Sequence, residues 1–263
     1  MNAVLRQIIV VVTYVVTLVI NGMASSGALG GTPTGEVSNA YPIYFVPANL
    51  TFAIWGVIYT ALTAFVIYQA LPSQRDNPLI KRITWPFVIS NFANTVWLVL
   101  FQSLQFVLSV PVMLLILGML LTIYLRMGMG QAVSRATYWL VQVPFSIYLG
   151  WITIATIANV SQTLYAAGYT ELGLGGPVWA AIMIAVGTVI ISAVIVHGRG
   201  NIPYALTTVW AIIGIVIAQG PRSTLVGGTA IAAIAVILAV LVYSRWQRQQ
   251  AGDNSTRLQR AAS

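Results

Sequence analysis

The sequence predicts an all-α, polytopic membrane protein of about eight transmembrane helices, and three observations carry that prediction. Apolar residues make up 59% of the chain and charged ones only 6%, against roughly 25% charged in a soluble domain. The mean hydropathy is +0.88. The apolar residues also gather into runs of membrane length, since a helix needs about 20 of them to cross the hydrocarbon core.

Taken in order, the first run covers residues 7–28. Arg6, the stretch Ile8–Ile20 and the small residues Ala24, Ser25 and Ser26 have loosely the form of a signal peptide. The run nevertheless continues to Met23, long enough to span, so a retained helix is expected. The second run is 49–71. The third and fourth, 84–102 and 105–125, are separated only around Gln102–Gln105, which predicts a tight antiparallel pair. The fifth is 137–159. Gly173, Gly175 and Gly176 precede the sixth, 177–197, but their "GxGG" is no phosphate loop, because no strand precedes it and no Lys follows. The seventh, 204–219, is short and bounded by Pro203 and Gly220-Pro221; the eighth is 225–244. The ending "RWQRQQAGDNSTRLQRAAS" reads as a polar, largely disordered tail with a basic start beside the membrane. The expected organisation is a five-helix unit over 1–165, a plainer three-helix extension over 166–244 and a cytoplasmic tail over 245–263.

Charge tests this count. Numbering the ends of eight helices as alternating sides puts every Lys and Arg except Arg222 on one side, while Arg222, Glu36 and Glu171 fall on the other. A wrong count would scramble the sorting. By the positive-inside rule both termini are cytoplasmic, in a plasma or inner membrane.

Several function classes drop out. The net charge of +8 comes without a basic cluster interleaved with aromatics, which argues against nucleic acid. The chain has no Cys, hence no disulfide, thiolate metal site or Cys nucleophile. Its one histidine, His197, sits at the cytoplasmic end of the sixth run with no second ligand in view, so no metal site is expected. No Asp, Glu, Lys or Arg lies near mid-membrane, which counts against a proton relay. With no His, Cys or carboxylate placed as base or nucleophile, no enzymatic activity is expected. No internal repeat suggests a transporter built from inverted halves.

The informative pattern is aromatic. In the second run Phe52, Trp55 and Tyr59 recur at i, i+3 and i+7, and so do Asn94, Trp97 and Phe101 in the third. The fifth carries Tyr148, Trp151, Ala155 and Asn159 at i, i+3, i+7 and i+11. Trp85, Trp139 and Trp246 read as an ordinary interfacial belt. Trp55, Trp97 and Trp151 could belong to a belt, or could converge on one cavity at the side opposite the basic residues.

These stripes also carry a resemblance. "PANLTFAIWGVIY", with Pro47, Trp55 and Tyr59, resembles the second-helix motif of the TspO/MBR family, the tryptophan-rich sensory proteins related to the peripheral benzodiazepine receptor. Asn94, Trp97 and Phe101 match its third-helix Asn-x-x-Trp and Phe, and "WITIATIAN" matches its fifth-helix pattern with Trp151, Ala155, Thr156 and Asn159. The family's "WYxxLxKPxW" segment is absent, "NAYPIYFVPAN" standing in its place, and Pro144 lies farther from Trp151 than in the family. Three further spans follow where typical members stop, so the chain resembles a divergent member with a C-terminal extension.

The resemblance implies that the first five helices form a TspO-like bundle with a cavity beside the loop Gly30–Ala48, where Tyr41, Tyr44 and Phe45 would form an aromatic lid. It implies a sensory, regulatory or shuttling protein that binds an apolar planar ligand, a tetrapyrrole above all, requires no cofactor, and is compatible with a homodimer. The implied ligand-binding residues are Tyr44, Pro47, Phe52, Trp55, Tyr59, Asn94, Trp97, Phe101, Trp151, Ala155 and Asn159. Asn94 is expected to bond a ring substituent. A transporter or channel for a small neutral solute is the alternative reading, and a packing role in a multi-subunit membrane complex a third.

Overall fold

A computed structural model describes the backbone of residues 2–262, with side chains described except at 170, 171 and 252–262. Among these residues, eight helices are long and apolar enough to cross a membrane. They are α1 (Ala3–Ser25), α2 (Ile54–Ala70, entered through the 3-10 turn Asn49–Ala53), α3 (Pro78–Gln102), α4 (Phe106–Arg126), α5 (Val143–Ala166), α6 (Gly176–His197), α7 (Ile202–Gln219) and α8 (Thr224–Ala262). A one-turn helix, Thr34–Val37, lies in the long loop between α1 and α2.

Local chemistry explains where the boundaries depart from the hydropathic runs. α3 begins at Pro78 rather than residue 84, because the Asn77 side chain accepts from the Leu79 and Ile80 amides and proline fits the first turn. α5 runs on to Ala166 instead of ending at 159, since Ser161 and Gln162 are buried in packing above the apolar stretch. Its approach is a π-turn over Tyr138–Gln142. Pro144 has no amide hydrogen for the regular ladder, and the wider turn absorbs the defect. The disordered tail expected from residue 245 is corrected: α8 continues as helix to Ala262. Helix formers such as Arg245, Gln247, Arg248 and Gln249 extend the apolar helix past the membrane with one bond per residue; helix propensity does not account for its continuation through Gly252 to Thr256.

Helices α1–α5 close a ring in the order α1, α2, α5, α4, α3, with α3 and α4 packed as an antiparallel pair. α5 is the centre of the molecule: 78% of its apolar window is buried, against 28% for α1. Phe65, Phe87 and Phe145 join α2, α3 and α5 through edge-to-face contacts with centroids 4.8–5.3 Å apart. α7 lies along the outside of α5, and α8 packs on both α7 and α6. The α5–α7 approach is close because Gly150 has no side chain. A Cβ there would sit 3.0 Å from the Tyr204 carbonyl and the Thr207 side chain, the small-residue device of membrane helices.

Charge is segregated by end. Arg6 donates to the Arg75 carbonyl and Arg126 to the Arg82 carbonyl, and Lys81 pairs with Asp76 at 2.8 Å, all at one end of the bundle. The α1–α2 loop covers the opposite end, where Arg222 is the one cation among the described side chains. The side chains of Glu171, Arg257 and Arg260, which were sorted by charge above, lie outside the described residues.

Candidate functional site

The loop before α2 is irregular backbone at the edge of a membrane protein, so its carbonyls need partners from the bundle. Three buried glutamines supply them, one at the end of each of three spans. Gln102 of α3 donates to the carbonyls of Leu29 and Thr32 (2.9 and 2.8 Å). Gln162 of α5 donates to Val37 (2.9 Å) and Gln219 of α7 to Val46 (3.0 Å). α7 adds two more ties: the Ala48 amide donates to the Gly214 carbonyl, and the Trp210 indole to the Thr51 carbonyl, both 3.0 Å. Gly214 allows this approach, since a Cβ would collide with the Thr51 hydroxyl and with Pro47. The sequence shows Gln102 only as a boundary between two runs and α7 only as a short span, and gives neither a role at the loop. The signal was a glutamine at the loop-covered end of three otherwise apolar helices.

Under the pinned loop lies a cavity of about 40 Å³ between α2, α3 and α5. Eight of the expected residues line it: Pro47, Phe52, Trp55, Trp97, Phe101, Trp151, Ala155 and Asn159. The loop contributes Ile43 and Val46 as its roof. Trp151 is the hub, with Phe52 and Trp55 set edge-on at centroid distances of 5.5 and 6.0 Å. Trp97 stacks on Phe101 at 4.8 Å. Its indole N–H donates to Asn159 Oδ1 at 3.1 Å, while Asn159 Nδ2 donates to Ser109 Oγ at 2.9 Å. The Asn159 amide is therefore committed to holding the wall. The Trp151 indole N–H is buried without a partner.

Three expected residues do not line this cavity. Asn94 is fully buried; its Oδ1 accepts from Asn21 Nδ2 of α1 at 2.7 Å and ties the two helices, while its own Nδ2 has no protein partner. Positions i and i+3 differ by about 60° around a helix. That offset is enough to aim Asn94 at α1 while Trp97 faces the cavity. Tyr59 stacks beneath Trp55 with centroids 5.4 Å apart and supports it from a turn deeper. Tyr44 turns away onto Arg222, whose guanidinium carbon lies 4.5 Å from the ring centroid. Arg222 also donates to Gln219 Oε1 at 2.7 Å, so the loop, the cation and the glutamine pin form one chain of contacts. Of the expected lid aromatics, Tyr41 packs on Phe106 and Tyr165 and Phe45 is buried.

The cavity is small. It has room for about three waters, whereas drug-sized ligands occupy roughly 300–1,000 Å³. A second, wider pocket of about 290 Å³ adjoins it, lined by Ser25, Pro33, Glu36 and Asn49 together with Thr34, Phe52 and Trp55. Those last three residues line both spaces and form the partition between them.

A family model described as TSPO-like protein matches residues 7–243, running through all of α2–α7, most of α1 and about half of α8. Neither curated proteins nor solved structures yield a match to the chain.

Proposed function

We propose that this chain, which belongs to the TSPO-like protein family, binds an apolar planar ligand between α2, α3 and α5. It is an integral, multi-pass membrane protein. A tetrapyrrole is the ligand class that the aromatic walls suit, because stacking on Trp and Phe needs only a π-face. The observation that carries this reading is the hub at Trp151. Phe52 and Trp55 meet Trp151 there, with Pro47 alongside and Ile43 and Val46 as the roof, and the Trp151 indole N–H has no protein partner. Such a donor gains a bond only when a ligand or water supplies an acceptor.

Binding requires the partition to open. Swinging Phe52 and Trp55 aside would merge the two spaces; the loop that roofs them is tied by hydrogen bonds, by the cation–π contact at Tyr44 and by the buried side chains of Ile43, Phe45 and Val46. The protein would sense or shuttle its ligand and catalyse nothing. The one-sided distribution of Lys and Arg supports placing both termini in the cytoplasm and the ligand site at the far face of the membrane.

The alternative, a path for a small neutral solute, draws on the polar contacts between α5 and α7, where Asn201 donates to Ser146 at 2.8 Å and Thr153 meets the Tyr204 hydroxyl at 3.3 Å. These groups are fully engaged with one another and buried, which favours packing over a conduit.

Titrating protoporphyrin IX into the detergent-purified full chain tests the proposal. Saturable quenching of Trp fluorescence, weakened about tenfold or more by combining Trp55→Ala with Trp151→Ala, is expected. Quenching that never saturates, or that the double variant leaves untouched, overturns it.

A further inference from the structure

At the arginine-rich end, the same pair of helices opens into a second cleft that the aromatic site does not use. Its volume is about 300 Å³, and it lies between the start of α5, the α6–α7 turn and α8. Arg135, Arg245 and Arg248 line it. A contiguous lobe shares Gly130 and Arg248 and adds Arg199. Among the described residues no Asp or Glu lines either space, and the one ion pair, Lys81–Asp76, is elsewhere.

Four guanidinium groups line the two spaces without a counter-charge among the described residues, and like charges brought near one another repel. All four are solvent-exposed, so water screens this repulsion without abolishing it. Here the backbone concentrates them. Arg199 adopts a left-handed conformation (φ 50) at a helix end, a position where glycine is the usual choice, and its stem lies over Gly130. The Arg245 stem lies over Gly200. In both cases an added Cβ would occupy the arginine's place.

The floor is polar and built. Gln142, Ser146 and Asn201 line it, each at most 5% exposed. The first turn of α7, Ile202-Pro203, borders it, adding the positive end of a helix dipole. In the adjoining lobe Ser244 is 6% exposed, and its hydroxyl has no partner. The Gln142 amide donates to the Met127 carbonyl and the Asn201 amide to Ser146, so these side chains fix the floor in place. The unpaired Ser244 hydroxyl and the unopposed guanidiniums are complementary to a tetrahedral oxyanion with several acceptors, which arginine recognises through its fork of donors.

We propose that this cleft binds a phosphate group. The exposed Trp139 and Trp246 mark the same end as headgroup depth. Phosphate at that depth comes from one of two sources, the headgroup of an anionic phospholipid or a free phosphate in the adjoining water.

The test uses the full chain in nanodiscs of phosphatidylcholine, with and without phosphatidylglycerol. Inorganic phosphate is titrated calorimetrically, and retained lipid is read by native mass spectrometry. Arg245→Gln combined with Arg248→Gln is compared with Arg75→Gln combined with Arg126→Gln, which removes the same charge from the same end outside the cleft. Arg135→Gln, an exposed change on another segment, provides the measurement if the first pair fails to fold. Saturable phosphate binding with a Kd raised about tenfold by the cleft pair only supports the proposal with a soluble ligand. Selective retention of phosphatidylglycerol, lost in the cleft variants only, supports it with a lipid ligand. Binding of neither, or equal loss in both pairs, overturns it. Protoporphyrin quenching should be unchanged in all these variants, so a failure here is separate from a failure at the aromatic site.

Discussion

The two ends of the α5–α7 pair solve opposite problems with similar materials. At one end α5 walls a neutral cavity of about 40 Å³ and α7 ties down the loop that roofs it; at the other the pair borders an open cleft of about 300 Å³ lined by arginine. At the closed end the polar side chains are used internally. Gln162 and Gln219 hold loop carbonyls, Asn159 holds Trp97, and even Arg222 is turned onto Tyr44 and Gln219. At the open end four arginines are left without partners of opposite sign among the described side chains. The difference follows from solvent. Under a loop beside hydrocarbon a polar group left without a protein partner is costly, and the Trp151 N–H stands out as such a group; at headgroup depth water can satisfy the guanidiniums.

The largest effect that would sharpen this contrast is expected from Gly214→Val. The added side chain meets Thr51 and Pro47 and pushes the loop away from α7. Overpacking of this kind costs about 1–3 kcal/mol. Thermal unfolding should shift down, and hydrogen exchange over residues 43–55 should rise while the residues around the arginine cleft stay protected. Equal loss of protection at both ends would mean that α5 and α7 respond as one rigid body, and the contrast would fail.

Asn94→Leu comes next. With Asn21 as its partner, the change should loosen α1 from α3 by roughly 0.5–2 kcal/mol, seen as a lowered melting temperature of the ligand-free protein. Porphyrin affinity should hold. A normal melting temperature with weakened affinity would return Asn94 to the ligand site.

Trp151→Phe should do the reverse. A benzene ring stays, while the pyrrole half of the buried indole goes together with its unpartnered N–H; lost packing and the removed orphan donor oppose one another in ligand-free stability. Affinity for an acceptor-bearing porphyrin should fall about fivefold, the worth of roughly 1 kcal/mol. Unchanged affinity would show that the N–H does not face the ligand.

The smallest effect is set at the surface. The Lys81 ammonium holds the Asp76 carboxyl below its ordinary range. A depressed carboxyl contributes stability above its unfolded pKa and loses it as pH falls through the folded one. Because Asp76 is fully exposed, solvent screens the pair. Asp76→Asn should leave unfolding at pH 7 and at acid pH indistinguishable from the parent protein.

Much of this architecture is written in composition and periodicity. Eight apolar runs, and the sorting of Lys and Arg to alternate ends, define the spans without reference to their neighbours, because crossing a bilayer depends on length and hydropathy alone. The aromatic stripes of α2, α3 and α5 are legible for a similar reason: helical spacing places Phe52 with Trp55, and Trp97 with Phe101, on shared faces whatever they pack against. What neighbours decide could not be read in this way. A 60° step separates Asn94 from Trp97, and only the arrangement of α1 beside α3 turns that step into glue on one side and cavity wall on the other. The glutamines at 102, 162 and 219 look like incidental polar residues at span ends until the loop lies across them. Arg135, Arg199, Arg245 and Arg248 come from segments far apart in the chain, and as sequence they only report topology. Their gathering into one cleft depends on Gly130 and Gly200 admitting long side chains from other segments. Solvent preference is a property each residue carries alone, so the sequence determines it; mutual position is a property of pairs, and it waits for the fold.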